Sequence, residues 1–179
     1  MKGIVFTEFL DLIEQKFGYE MVDGIISDSH LASGGSYTSV GTYAHSEMVQ
    51  LVTHLSERSG VPAADLLKLY GKHLFGIFAQ DYGMFFKDIN SSFDLLNNIE
   101  RYIHIEVKKL YPDAELPHFK ITQLSDHELE MIYISARKMA DFAEGLMEAC
   151  LIYFGEEGHI HRENLKPDGS EVRFLITKK

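Results

Sequence analysis

The stretch Leu110-Tyr111-Pro112-Asp113-Ala114-Glu115-Leu116-Pro117-His118-Phe119 divides the chain into two parts with different periodicity. A proline lacks a donor N–H and clashes with the preceding helical turn, so a helix running into Pro112 ends there. On the N-terminal side apolar residues recur at three- and four-residue spacing. On the C-terminal side they alternate. The change predicts an α+β chain with a helical N-terminal part over 1–111 and a sheet-bearing part over 112–179, read as a single domain of 179 residues.

Working back from Pro112, Ser91 or Ser92 can cap a helix that continues to Leu110. Pro62 suits the first turn of a helix filled by Leu66, Leu67, Leu69, Tyr70, Leu74, Ile77 and Phe78 and stopped at Tyr82-Gly83. Ser46–Arg58 reads as another helix, and the Ser- and Gly-rich Ala32–Gly41 as a loop. Met21, Val22, Ile25 and Ile26 give a short helix, and Val5–Phe17 one that stops at Gly18.

Working forward, Phe119–Leu124 and Leu129–Arg137 read as a hairpin around Ser125-Asp126-His127-Glu128. Met139–Phe154 is helical. Gly158–Leu165 and Val172–Thr177 are two further strands about the turn Lys166-Pro167-Asp168-Gly169. A four-stranded antiparallel sheet packed on a helix is the expectation.

Composition removes several functions. The net charge is -10, and no basic run provides the footprint that nucleic acid or an anionic membrane requires. One cysteine, Cys150, excludes an intrachain disulfide and a thiolate zinc site. Its apolar surroundings predict a small core residue. No apolar run approaches the roughly 20 residues of a membrane helix, and the start of the chain is unlike a signal peptide. A cytoplasmic protein is expected.

Three features can carry chemistry. His104 lies on the helix before Pro112. At about 100° per residue it shares a face with Phe93 and Tyr111, so its imidazole emerges among apolar groups. A neutral imidazole there is a good axial ligand for haem iron. It is equally a border histidine bonded to a carbonyl. Tyr133, Ser135 and Arg137 alternate along a strand and would face one way at intervals of about 6.6–6.8 Å. Two hydroxyls and a guanidinium suit an extended carboxylate-bearing anion, or form an ordinary solvent face. Pro117 is by itself a connector.

Together, His104, Pro117 thirteen residues on, and Tyr133-x-Ser135-x-Arg137 sixteen further resemble the pattern of the haem nitric oxide/oxygen-binding (H-NOX) family. That family includes the haem domain of soluble guanylate cyclase. The likeness extends to Met1-Lys2-Gly3-Ile4-Val5, Gly18, the Ala64–Gly71 helix and Arg137-Lys138-Met139…Gly145-Leu146, and so spans most of the chain. It implies the H-NOX fold, with haem b between the two parts and His104 as the proximal iron ligand. Tyr133, Ser135 and Arg137 would bind the propionates, and Pro117 would press the porphyrin out of plane. The distal pocket would comprise Val5, Phe9, Leu74, Phe78, Phe142 and Leu146. Phe142 stands where oxygen-binding members carry a tyrosine.

Bound oxygen acquires negative charge that a hydrogen-bond donor stabilises, whereas nitric oxide needs no such help. A distal side without a donor therefore implies a sensor for NO and CO that rejects O2, unless Tyr43, Tyr70, Tyr82 or Tyr153 reaches the gas. The implied switch is release of His104 from iron, passed to a separate partner. A histidine kinase is expected first and a cyclic-di-GMP enzyme second.

Two other readings stay open. One is a haem-free small-molecule binder of the same fold. The other is a metal-dependent enzyme using His159-x-His161 with Glu163. The chain has no Gly-x-Ser-x-Gly, no His-Glu-x-x-His and no phosphate-binding loop, so no enzyme activity is expected.

Overall fold

In the computed structural model, residues 1–81, 83–87 and 89–179 are described, the side chains of Met84, Phe85 and Tyr102 excepted. The helical half contains α1 (Ile4–Phe17), α2 (Tyr19–Asp28), α3 (His45–Ser59) and α4 (Ala63–Asp81). A 3-10 turn over Gly83–Phe86, α5 (Ser92–Asn97), a π-helical turn over Ile99–Ile103 and α6 (His104–Leu110) follow. The sheet-bearing half contains β1 (His118–Gln123), β2 (Glu128–Ile134), α7 (Ala140–Tyr153), β3 (Gly158–Asn164) and β4 (Glu171–Lys178). The four strands are antiparallel in the order β1-β2-β4-β3. The fold is the α+β arrangement expected from the sequence.

The boundary at Pro112 holds, because α6 ends at Leu110 and, among the described residues, no strand begins before His118. Pro62 lies one residue before α4, and its carbonyl accepts from the N–H groups of Asp65 and Leu66. Tyr82, expected at the end of that helix, is outside the described residues.

Two expectations need correction. The helix expected up to Leu110 is three segments. Ser91 caps the first, its Oγ accepting from Asp94 N at 3.1 Å, while Ser92 is buried and bonds the Glu156 carboxylate. After Asn98 the backbone widens to π spacing, with Ile103 N bonded to Asn98 O and His104 N to Ile99 O. A π turn resets the angular phase, so Phe93 does not share the His104 face. Its ring instead packs beneath Lys178 Nζ, 4.4 Å away. Second, β2 stops at Ile134, and Ser135–Arg137 form a turn rather than a continuing strand. The cause is local hydrogen bonding. Ser135 Oγ accepts from Arg137 N at 3.2 Å, and Lys138 takes the left-handed φ of 55°.

Two apolar cores result. One joins α1, α2, α3 and the middle of α4 through Phe6, Leu12, Ile25, Leu51 and Leu55. The other packs α7 and α5 on the sheet through Leu95, Leu129, Met131, Met147 and Phe174. They meet where α4 crosses α7. A Cβ on Gly71 would lie 2.3 Å from Phe142 O, and one on Gly145 2.2 Å from Lys68 O. Both glycines are therefore required by direct backbone approach. Ion pairs Lys68–Glu144 at 2.5 Å and Lys72–Glu148 at 2.6 Å flank the crossing.

Since Lys68 O is backbone and cannot swing aside, Gly145→Ala must push the helices apart. An overpacked core of this kind costs about 1–3 kcal/mol. The urea midpoint of the variant should fall accordingly, with an unchanged slope.

Candidate functional site

Between the two cores, bordering the α4–α7 crossing, the chain forms a cavity of about 290 Å³. Its walls come from α4, α5, α6 and α7, the segment before β1, and the end of β2. His104, Pro117, Tyr133, Ser135 and Arg137 all line it. So do Val5, Leu74, Phe78, Phe142 and Leu146. Phe9 does not. It is fully buried behind the wall, edge-on to Tyr70 with ring centroids 5.2 Å apart.

His104 opens α6 directly after the π turn, and its side chain is 16% exposed. Its ring lies 6.2 Å from that of Phe119. Nδ1 is 3.4 Å from Glu100 Oε1, which leaves Nε2 as the nitrogen available to the cavity. Burial lowers the imidazole's pKa below the ordinary histidine value, and the Glu100 charge only partly opposes it. A neutral imidazole with a free lone pair is the form that binds a metal.

Arg137 reaches the rim of the cavity. It donates from Nη1 to Glu115 O at 2.8 Å and from Nη2 to Glu115 Oε2 at 2.7 Å. The Glu115 side chain is 85% exposed, so an anion within the cavity competes with a well-hydrated partner for the guanidinium. Tyr133 is buried, and its hydroxyl accepts from Met139 N at 3.0 Å. Burial raises its phenol pKa, so the O–H stays protonated and able to donate. The sequence reading brought these three side chains together on a strand face. The structure does so by a turn at the strand's end.

The tyrosines that could alter gas selectivity are otherwise engaged. Tyr70 Oη donates to Val5 O at 2.6 Å. Tyr43 Oη accepts from Thr38 N at 2.8 Å. Tyr153 is half exposed and packs against Phe75 and Phe86. None of the three lines the cavity. Tyr82 is outside the described residues.

Sequence reasoning missed Glu100, although a carboxylate four residues before a helical histidine is visible in the sequence. It also missed that Cys150, fully buried as expected, lines the cavity; burial pushes its thiol up to about 12. A second, polar cavity adjoins the rim, lined by Lys2, Asp113, Glu115, Arg137 and His45 among others. The Nε2 of His45 is buried there without a hydrogen-bond partner.

For the metal-enzyme reading, His159 and His161 are exposed on β3, and Glu163 lies 3.5 Å from Arg173. Among the described residues no three His, Cys, Asp or Glu side chains are grouped to hold an ion. No described helix is long and apolar enough to cross a membrane.

An apolar cavity with one neutral imidazole on its wall, and hydroxyls and a guanidinium at one edge, fits a large flat apolar cofactor with an anionic margin. That donor set defines a haem-pocket class of protein. Comparison gives the family: the haem-NO-binding family model matches residues 2–162, and the chain belongs to that family of haem-based gas sensors, whose cofactor is haem. It is similar to the Fe(II) unliganded H-NOX protein from K. algicida, with 47% identity and a TM-score of 0.97, covering 100% of this chain and 97% of that one. It is also similar to the IWP-051-bound H-NOX from Shewanella woodyi in the Fe(II)CO state, with 44% identity, a TM-score of 0.85 and coverage of 100% and 95%. The S. oneidensis H-NOX in the Fe(II)NO state is 26% identical, with a TM-score of 0.92 and coverage of 100% and 99%. Among curated proteins there is no match.

His45 gives the site a pH dependence. Burial, Arg137 and the amino terminus lower its pKa. Below about pH 6.5 the unfolded chain takes up a proton that the folded chain resists. The stabilisation is therefore complete above that value and lost as pH falls toward the lowered folded pKa. The urea midpoint should drop between pH 7 and 5, and His45→Gln should remove part of that slope.

Proposed function

We propose that this chain is a single-domain haem-based sensor that takes NO and CO, excludes O2, and signals to a separate protein. One observation carries the selectivity: Val5, Leu74, Phe78, Phe142 and Leu146 form an apolar stretch of cavity wall whose side chains bear no hydrogen-bond donor. The known NO- and CO-bound states of the S. oneidensis and S. woodyi proteins support the choice of gases.

When bound, haem supplies a ferrous iron able to take up a diatomic gas. His104 is the residue to hold that iron, through Nε2. Tyr133, Ser135 and Arg137 would hold the propionates, the first two by hydroxyl donation and Arg137 in place of its pairing with Glu115. Pro117, on the cavity wall before β1, would bear on the porphyrin. On the opposite wall Phe142 and its apolar neighbours leave oxygen without the donor it needs, while NO and CO require none.

The switch lies in His104 and the chain that carries it. The imidazole sits between a π turn and the seven-residue α6. Release of His104 from its ligand role would free that short segment and let the helical half shift against the sheet. A ligand that favours one of two arrangements is all that such a device needs. The output is a protein–protein contact, with a histidine kinase as the first partner to test and a cyclic-di-GMP enzyme as the second. The acidic chain acts as a sensor and not as an enzyme, and works in the cytoplasm.

Absorption spectra of the ferrous protein test the reading. No oxygen complex should form in air, and NO should shift the Soret band. A stable oxygen complex in the unmodified protein would overturn the proposed selectivity. Phe142→Tyr should gain oxygen affinity, since a hydrogen bond of about 1 kcal/mol is worth roughly fivefold. His104→Gly should lose haem unless imidazole is supplied.

A further inference from the structure

Glu100 is the acid closest to the proposed iron ligand. It lies in the π turn, one turn before His104. Its Oε1 accepts from Phe119 N at 2.6 Å and stands 3.4 Å from His104 Nδ1. Its Oε2 is 3.4 Å from His118 Nδ1. The side chain is 29% exposed, and among the described residues no lysine or arginine lies within ion-pair distance of it. The carboxylate is thus fixed by a strand N–H, and its charge is not consumed by a permanent cation.

We propose that Glu100 is a positioning residue for His104: its carboxylate holds the Nδ1–H tautomer, aims Nε2 into the cavity, and raises the donor strength of that nitrogen. This rests on the reading of His104 as the iron ligand. The physical basis is general. A carboxylate that draws on one ring proton gives the imidazole partial imidazolate character, and the opposite nitrogen becomes a stronger ligand. The Phe119 N–H matters because it pins the carboxylate to β1. The acid therefore couples the helix that carries the ligand to the first strand of the sheet. The 3.4 Å separation is only a few tenths of an ångström beyond a hydrogen bond.

The proposal also bears on the switch. A stronger axial nitrogen resists release, so Glu100 sets how readily His104 lets go. Loss of the charge should ease that release and lower the share of six-coordinate nitrosyl complex.

The test uses the haem-loaded ferrous protein, its Glu100→Gln and Glu100→Ala variants, and resonance Raman detection of the iron–histidine stretching band. Both variants should shift the band to lower frequency, and Glu100→Asp should restore part of the shift. Gln preserves size and can still accept from Phe119 N, so it decides the matter if Ala fails to fold. An unchanged band in Glu100→Gln would overturn the proposal, as would a lowered melting temperature with no band shift, because a purely structural carboxylate gives that result. His104→Gly, measured in parallel, separates the two readings. A band lost in that variant but unmoved in the Glu100 variants refutes the role of Glu100 alone. A band that persists in His104→Gly refutes the ligand assignment beneath it.

Discussion

The constraint on which the two halves depend is a direct approach of two helix backbones. Gly71 and Gly145 let α4 and α7 touch where any larger side chain would drive a Cβ into a carbonyl. That contact fixes the distance between a helical core and a sheet core, each with its own apolar interior. The cavity borders that crossing, with Leu74 of α4 and Phe142 and Leu146 of α7 in its wall. Ion pairs on the same two helices orient the crossing but are partly exposed, so packing supplies most of the constraint.

Charge is kept to the margin of this space. Arg137 with Glu115 and Lys2 with Asp113 stand at the rim. Most of the lining behind them is hydrocarbon, with the His104 imidazole as the principal polar group on the α6 wall. Burial disfavours protonation of that ring. The same desolvation that makes the cavity receptive to a large apolar cofactor thus keeps the histidine in its metal-binding form. Glu100 works against this trend without cancelling it, which makes the acid suited to adjusting the ligand.

Much of this was legible in the sequence, for identifiable reasons. Pro112 is a chemical stop, and the period of the apolar pattern changes across it, so the α+β division followed directly. The spacing of His104, Pro117, Tyr133, Ser135 and Arg137 led to the family without any coordinates. Local backbone detail was hidden. Nothing in Asn98–Ile103 announces a π turn, because a widened turn preserves the apolar content of a helix while shifting its phase. The face assigned to Phe93 was wrong for that reason. Ser135 is compatible with a strand until its Oγ bonds the Arg137 N–H and ends the strand. The apolar wall was legible by resemblance except at Phe9, where a one-layer difference in depth has no sequence signature.

The chain's only thiol lines this cavity. Cys150 is pushed up to about 12 by burial, and its Sγ lies 3.8 Å from Ser92 O. Burial therefore disfavours the thiolate, which is the nucleophilic form. A chamber for a reactive gas thus contains sulfur in a chemically quiet state. A sulfur held as the thiol is a poor nucleophile toward electrophiles that reach the cavity.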